Sequence, residues 1–515
     1  MKTLFKHNNS GINDENRFLG ESYRDFELPF SNHKKIIELS KYWVPEVPQW
    51  QPLKKKPNTN LRMACILENR LYEGLRFEGQ VMLLRPSNWR HVIKYCKPDF
   101  LLMESIWTTV TGDWHLAQST FSDYYNELLE IIKFSRKMSV PTVFWFTKGH
   151  EYHQNYKNFA QYFDFVFCAD LKEVELLRYE GVKAELLSPC VQPALYNPFK
   201  LYDYHDALNI NSLYDGWADL DQMKDQLSYL EELKPFGLSI IESRYHILRR
   251  RLDYLPEYKN FILGLASMQS RINALKYAKV YLTLGQTIST KTSQQWMTLE
   301  ALASRLPVVH HGLLDDNDFR KNLVIECCDP KEFLTEFLRF QEDELYRERL
   351  SHHGWRKTCQ EHTFAHRIKR ICKEIGIEHE WEEFPKVTML TPTFRKQSLP
   401  YCLDNFLRQN YPNKELVVVF NNKDLPTYKD LGLKQERSDV KIFNVPEELF
   451  AGACLNMGAS FAEGAYIFRI DDDDYYASNY ITDMILHSRS IDADFFGRPM
   501  SLYYYFPEEQ SIFLK

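Results

Sequence analysis

Asp471, Asp472, Asp473 and Asp474 follow directly on the apolar run Tyr466, Ile467, Phe468 and Ile470. Such a run reads as a buried strand, and four aspartates cannot continue it, because Asp disfavours the pleat and repels its like. The strand then ends in an all-oxygen donor set of the kind that hard cations such as Mg²⁺ or Mn²⁺ accept, usually together with substrate phosphates. The same residues also read as a solvated acidic turn before a helix starting near Ser478. A second grouping lies at residues 290–303. Thr292 or Ser293 can cap a helix there, and the free amides of a helix start are a ready anion site for a diphosphate. Glu300 stands seven residues beyond Ser293, two turns along the same face, within reach of a ribose beside that phosphate; it reads equally as a surface Glu. His150 can act as a base or pack a loop. His310 and His311, with Asp315, Asp316 and Asp318 behind them, lack helical ligand spacing, so no metal is expected there.

The elements that must position these groups alternate. Residues 63–67, 80–84, 100–103, 141–146 and 163–168 read as strands, with helical patterns at 123–138 and 171–179 between some of them. Strands alternating with helices imply a parallel sheet covered on both faces, whose ligands bind beyond the carboxyl ends of the strands. Glu104, Trp107, Asp113, Trp114, Lys148 and His150 are therefore expected to line a cleft. A second series begins near Ala207, with strands at 208–211, 280–284 and 307–310, a helix at 221–233 and a helix-like stretch at 239–252. A third follows a charged break near Pro385, with strands at 386–393, 415–420 and 440–443 and helices at 399–409 and 451–462. Asp492 and Asp494 read as the start of a further strand. The domains expected are a lead-in segment with a helix at 1–60, α/β domains at 61–205 and 206–384, and a third α/β unit at 385–515.

The 515 residues leave room for about three domains. A hydrophobic fraction of 44% and a charged fraction of 26% are those of globular proteins, and the formal charge of -6 gives no reason to expect nucleic acid as a partner. The ten cysteines form no CxxC pair, so neither a zinc site nor a disulfide framework is indicated and a reducing cytoplasm fits. No apolar run approaches the ~18 residues needed to span a bilayer. Lys54, Lys55 and Lys56 can touch anionic lipid heads in a peripheral contact, or sit in a solvated linker.

Two resemblances organise the chain. Residues 61 to about 375 resemble bacterial GT-B glycosyltransferases of the CgeB-like group through Met63 to Leu67 with Tyr72 and Glu73, Lys97 to Ser105, Pro141 to Trp145 and, most specifically, Leu299 to Val309. That resemblance implies two Rossmann-like domains, a nucleotide sugar in the second of them with Glu300 at the ribose and Thr292 and Ser293 near the phosphates, and no metal cofactor. Position 292 is Thr where retaining relatives often carry a second Glu, so stereochemistry is open. Residues 386–474 resemble the GT-A fold of family 2 glycosyltransferases through Thr391-Pro-Thr393, Leu407 to Asn413, Asn456-x-Gly458 with Ala462-x-Gly464-x-Tyr466-Ile467, and Ile470-Asp-x-Asp-Asp474. It implies that Thr391 and Thr393 border a nucleoside pocket, that Asn421 stands where an Asp usually meets the base, that Asp471 approaches the ribose and, with Asp473, holds Mn²⁺ or Mg²⁺, and that Asp473 is the expected catalytic centre of this module.

The function expected is transfer of sugars from nucleotide-sugar donors onto a glycan or lipid-linked glycan of a bacterial surface polysaccharide, in the cytoplasm or at the inner membrane face. The GT-A unit reads as incomplete, since 41 residues follow Asp474. Two alternatives stand beside this reading: a scaffold of degenerate transferase folds, and activity confined to the GT-B module.

Overall fold

The computed structural model describes residues 51–200, 210–216, 224–242, 251–252, 256–263, 268–284, 290–379, 381, 383–424, 426–497 and the short strands at 37–38, 502–505 and 510–513. The expected lead-in helix lies outside the described residues. The chain divides into two compact units, residues 1–377 and 378–515.

The first unit contains two parallel α/β sheets. Strands β1 (Arg62–Ile66), β2 (Gln80–Leu83), β3 (Phe100–Glu104), β4 (Thr142–Phe146), β5 (Phe165–Cys168) and β6 (Ala184–Leu186) pair in the order β2-β1-β3-β4-β5-β6. Every residue of β3 and β4 is buried, as expected of strands covered on both faces. One cover is the helix Tyr125–Lys137, which turns Leu128, Ile131, Ile132 and Ser135 inward at helical spacing.

The second sheet comprises β7 (Ile210–Gly216), β8 (Leu238–Glu242), β9 (Ala278–Thr283), β10 (Val308–His311) and β11 (Ile325–Cys327), in the order β11-β10-β9-β7-β8. Two expectations need correction. The strand read at 208–211 runs instead over Ile210–Gly216. The helix-like stretch at 239–252 begins as β8, because Leu238, Ile240 and Ile241 are all buried and the pair of Ile suits a pleat. Gly237, at φ +88°, turns the chain from the preceding helix Lys224–Leu233 and its short 3₁₀ extension into that strand. The helix Phe364–Ile375 then returns to the first sheet: Arg367 donates to the Ser188 and Pro189 carbonyls at 2.7 and 2.8 Å, and Arg370 pairs with Glu185 at 2.8 Å. The Trp145, Trp296 and Phe364 rings, with centroids 6.0–6.5 Å apart, pack the two sheets' helices and strands together.

The second unit holds a parallel sheet of β12 (Val387–Thr393), β13 (Lys414–Phe420), β14 (Val440–Asn444) and β15 (Tyr466–Arg469), in the order β14-β13-β12-β15. Glycine matters twice here: a Cβ at Gly458 would overlap Leu390 and Val419, and one at Gly464 would overlap the Thr388 amide. Both positions belong to the motif read from the sequence, and both let a backbone approach β12. The apolar run of β15 is only half buried. Phe468 and Ile470 are inside, while Ile467 is 47% exposed, because β15 is an edge strand among the described residues. The strand expected at Asp492 and Asp494 does not form; residues 491–497 carry no regular structure, and β16 (Leu502–Tyr505) pairs antiparallel with β17 (Gln510–Phe513).

Candidate functional site

In the first unit, chemistry-bearing groups gather beyond the carboxyl ends of β1, β3 and β4. Glu68 follows β1 and pairs with Lys148, which follows β4, at 2.5 Å. Glu104 ends β3, buried, accepting from the Glu68 amide at 2.9 Å and the Thr147 hydroxyl at 2.7 Å. Burial, and then the Glu68 carboxylate, push its carboxyl up to about 7. A carboxyl kept ambivalent near neutrality at a strand end is a functional-site signal.

His150 opens a 3₁₀ turn on the same rim. Its Nδ1 lies 2.6 Å from Asp170 Oδ2, and Asp170 also caps the helix Leu171–Tyr179 by accepting from the Lys172 amide at 3.0 Å. One carboxylate thus fixes both a helix start and an imidazole. His150, Glu151 and Asp170 offer donor atoms within 4.8 Å of one another. Across from them lies the helix Lys291–Ala303: a Cβ added at Gly149 would sit 3.1 Å from Thr290 Cβ. Its cap is Thr290, whose Oγ accepts from the Ser293 amide at 3.1 Å, and not Thr292 or Ser293 as the sequence implied. Thr290 has the extended backbone a cap requires, whereas Thr292 and Ser293 are already in the first turn, Thr292 buried.

Glu300 is 1% exposed, not a surface residue. It pairs with Arg70 at 3.1 Å, from the helix Asn69–Leu75 after β1, and with Arg271, which also holds Asp215 at the end of β7. Burial alone would raise its carboxyl, but Arg271 and Arg70 outweigh that and hold it below the usual value. Sequence reading found Glu300 and missed Arg70, Arg271 and Asp215, which lie 29 to 230 positions from it and carry no local signal. Of the residues expected to line the cleft, Trp114 is instead core, fully buried with its indole N–H on the Leu84 carbonyl at 2.8 Å. Asp113 pairs with Arg85 at 2.7 Å, and Trp107 packs on Tyr152 and Tyr156. His310 is buried against Thr283, and burial with Arg320 nearby lowers it to about 4, so it stays neutral.

In the second unit the aspartates divide. Asp472 turns inward, 6% exposed, accepting from the Thr393 hydroxyl at 2.5 Å and from Arg395 through two nitrogens at 3.0 and 2.5 Å. Asp473 is 60% exposed and meets Arg395 at 2.9 Å; Asp471 is 41% exposed and meets Arg469 at 2.9 Å. Burial, Asp471 and Asp473 together raise the Asp474 carboxyl, the signature of carboxylates crowded beyond what the nearby cations neutralise. Asn421, after β13, donates through its side chain to the Leu449 carbonyl at 3.1 Å. Thr391 is fully buried and its hydroxyl has no hydrogen-bond partner. Arg395 was missed from sequence although it stands two residues beyond Thr393. Parallel register brings these groups together: β12 pairs with β13 up to Thr393 and Phe420, and with β15 up to Leu390 and Arg469, so Thr393, Asn421 and the Asp run share one edge.

Residues 388–504 match the family model described as glycosyl transferase family 2, so the second unit carries a domain of that family. Over 113 residues the chain is 29% identical to the Escherichia coli (strain K12) protein named as a colanic acid biosynthesis glycosyl transferase, WcaA, a match covering 21% of this chain and 39% of that one. Over 130 residues it is 26% identical to the glycosyltransferase GlyA of Streptococcus pneumoniae serotype 4, covering 25% of this chain and 18% of that one. The chain thus spans well under half the length of these curated relatives. The Anabaena protein HepE, solved in complex with UDP and glucose, overlaps 62% of this chain at 11% identity with a TM-score of 0.40, too loose to carry an inference. No helix among the described residues is long and apolar enough to cross a membrane.

Proposed function

We propose that this chain is a two-module glycosyltransferase that moves sugars from nucleotide-sugar donors onto a glycan or lipid-linked glycan acceptor of a bacterial surface polysaccharide. The observation that carries the reading is the edge formed by Thr393, Arg395, Asn421 and Asp471 to Asp474 within a segment matching family 2 transferases. Asp471 and Asp473 would hold the divalent cation, Mn²⁺ or Mg²⁺; both are exposed oxygen donors, and their crowding against Asp474 is the charge a cation relieves. When bound, that ion supplies positive charge against a leaving diphosphate. Thr393 and Arg395 fix Asp472 and so hold the loop that presents Asp471 and Asp473.

In the first unit the donor's diphosphate would meet the amides of Lys291 and Thr292 at the start of Lys291–Ala303, beside Ser293, whose own amide Thr290 holds, with Glu300 toward the ribose and His150, oriented by Asp170, on the opposite rim as base. A second reading rests on Glu300 being held already by two arginines: the first module then serves as a non-catalytic scaffold. We further assign the protein to the cytoplasm, with any membrane contact peripheral.

The test is mass-spectrometric detection of nucleotide-sugar turnover by the intact chain, with Mn²⁺ or with EDTA, alongside Asp473→Asn and His150→Ala. Metal-dependent turnover lost in Asp473→Asn supports the second module, and metal-independent turnover lost in His150→Ala supports the first. No turnover, with no nucleotide raising the Tm, would replace the reading by the scaffold.

A further inference from the structure

The Glu300 carboxylate is closed off from solvent, so a ribose meets it only if one of its partners leaves. The two guanidiniums on it are not equivalent. Arg271 belongs to the helix Met268–Tyr277, has a side chain 12% exposed, and is tied by a second ion pair to Asp215, itself buried at the end of β7. Arg70 belongs to the helix Asn69–Leu75 after β1, has a side chain 38% exposed, and meets Glu300 Oε1 through Nε at 3.1 Å. Its guanidinium carbon also lies 5.7 Å from the centre of the Trp296 ring, one turn before Glu300 on Lys291–Ala303. Arg271 thus holds the carboxylate from the interior, and Arg70 covers it from the wetter side.

The helix that carries Arg70 is fixed at its far end. A Cβ at Gly74, one turn on, would overlap the Phe364 ring, and the Gly74 carbonyl accepts from the Gln192 side chain at 2.8 Å in a buried bond. At its near end the contacts are looser: Asn69 is exposed, with its side-chain nitrogen 3.6 Å from Met268 Sδ. Arg70 therefore releases Glu300 by rotating its own side chain while the backbone stays in place, and partly exposed side chains change rotamer readily. An ion pair with one partner in water opposes that rotation only weakly. Arg271 has no such freedom, since leaving would strand two buried carboxylates.

We propose that Arg70 is a gate on Glu300: it competes with the ribose of a nucleoside diphosphate, which reaches the carboxylate only as the guanidinium swings away. The gate rests on Glu300 as the ribose acceptor of the first module. It gives the two ion pairs separate tasks. Arg271 anchors and aims the carboxylate whether or not a donor is present, and Arg70 takes the place of the ribose hydroxyls while the site is empty. Departure of Arg70 leaves Glu300 still paired, so opening strands no buried charge. The measured affinity is then the intrinsic one reduced by the fraction of chains in which Arg70 has left.

Isothermal titration of the intact chain with UDP, ADP and GDP tests this, in EDTA and with Asp473→Asn present throughout so that the second module stays silent. Arg70→Met and Arg70→Gln both remove the charge, the first keeping an apolar stem on Trp296, and Arg70→Lys retains a charge. The expected result is that a nucleotide binds the two charge-free variants about fivefold tighter than the parent, with Arg70→Lys between them. Adding Glu300→Gln to either variant should remove the gain, which a merely structural role for Arg70 would not require. Melts without nucleotide check that each variant keeps the parent's fold. Equal or weaker binding by the charge-free variants overturns the gate, as does a gain that survives Glu300→Gln. If Glu300→Gln alone still weakens binding by the parent, the ribose reading outlives the gate; if no nucleotide binds any of these chains, both fall.

Discussion

Replacing Glu300 by Gln tests whether the carboxylate joining the two sheets of the first unit is held by charge. Gln keeps the shape and one acceptor oxygen but leaves Arg271, only 12% exposed, with Asp215 as its remaining carboxylate partner, and removes the ion pair to Arg70. Breaking a buried pair by deleting one partner costs about 3–5 kcal/mol; Asp215 and the retained acceptor place this case near the low end, at ~3 kcal/mol. The pH dependence identifies the cause. The folded Glu300 carboxyl lies below its ordinary value, so its contribution is fully present above the unfolded pKa and is lost as pH falls through the folded value. The deficit of Glu300→Gln should thus be full at pH 7 and shrink in acid, below about pH 4. Urea unfolding followed by tryptophan fluorescence reads it, because nine of the ten tryptophans lie before residue 378 and report on the first unit. A deficit under about 0.5 kcal/mol, or one that does not change with pH, would refute the reasoning.

Glu104→Gln should show the opposite pH trend. Burial and Glu68 raise the folded carboxyl to about 7, so the neutral form is the one the fold prefers; its benefit is complete below the unfolded pKa and lost as pH rises through 7, a swing on the order of 3 kcal/mol. The variant should match the native chain near pH 4 and exceed it above pH 8 in urea denaturation, and equal behaviour at both ends would count against the burial argument. Within the Asp run, Asp472→Asn should destabilise the second unit by about 2 kcal/mol, since it weakens charged hydrogen bonds from Thr393 and Arg395. Asp473→Asn, on an exposed side chain, should stay within about 0.5 kcal/mol while removing any Mn²⁺-dependent rise in Tm. Calorimetry of both variants with and without Mn²⁺ decides, and equal stability losses would undo the division of the run.

Local pattern carried most of the fold to the reader of the sequence. Short continuous apolar runs such as residues 100–103 and 416–420, rich in β-branched or aromatic side chains, read as buried strands, and the alternation with helices implied the parallel sheets. Failures came where a short run satisfied two periods at once. Residues 238–242 have the length of a strand and the composition of a helix flank, and only the pairing with Ile210–Gly216 settles the choice. Capping failed by two residues because Thr290, Thr292 and Ser293 are chemically equivalent caps and backbone angle alone selects Thr290. The sites were legible in their runs and motif positions and not in their distant partners. Asp471 to Asp474, Glu300 and His150 stood in runs or at motif positions, whereas Arg70, Arg271, Asp215 and Asp170 reach Glu300 and His150 only through the packing of elements distant in the chain.

The partners of these acids have a chemical consequence for the two modules. In the first, Glu300 and Asp215 face Arg70 and Arg271, two carboxylates against two guanidiniums, so the local charge is balanced before any ligand arrives. A diphosphate approaching the start of Lys291–Ala303 then meets the partial positive charge of free amides, with the carboxylates of Glu151 and Asp170 on the facing rim beside His150. In the second, Asp471 to Asp474 face Arg395 and Arg469, four carboxylates against two guanidiniums. A diphosphate is repelled there until a cation is in place, and Arg395, already shared between Asp472 and Asp473, supplies too little charge to take the cation's part. The excess of carboxylates over guanidiniums at Asp471 to Asp474 is therefore the physical argument for the cation proposed in the second module, and chelation is the perturbation that tests it.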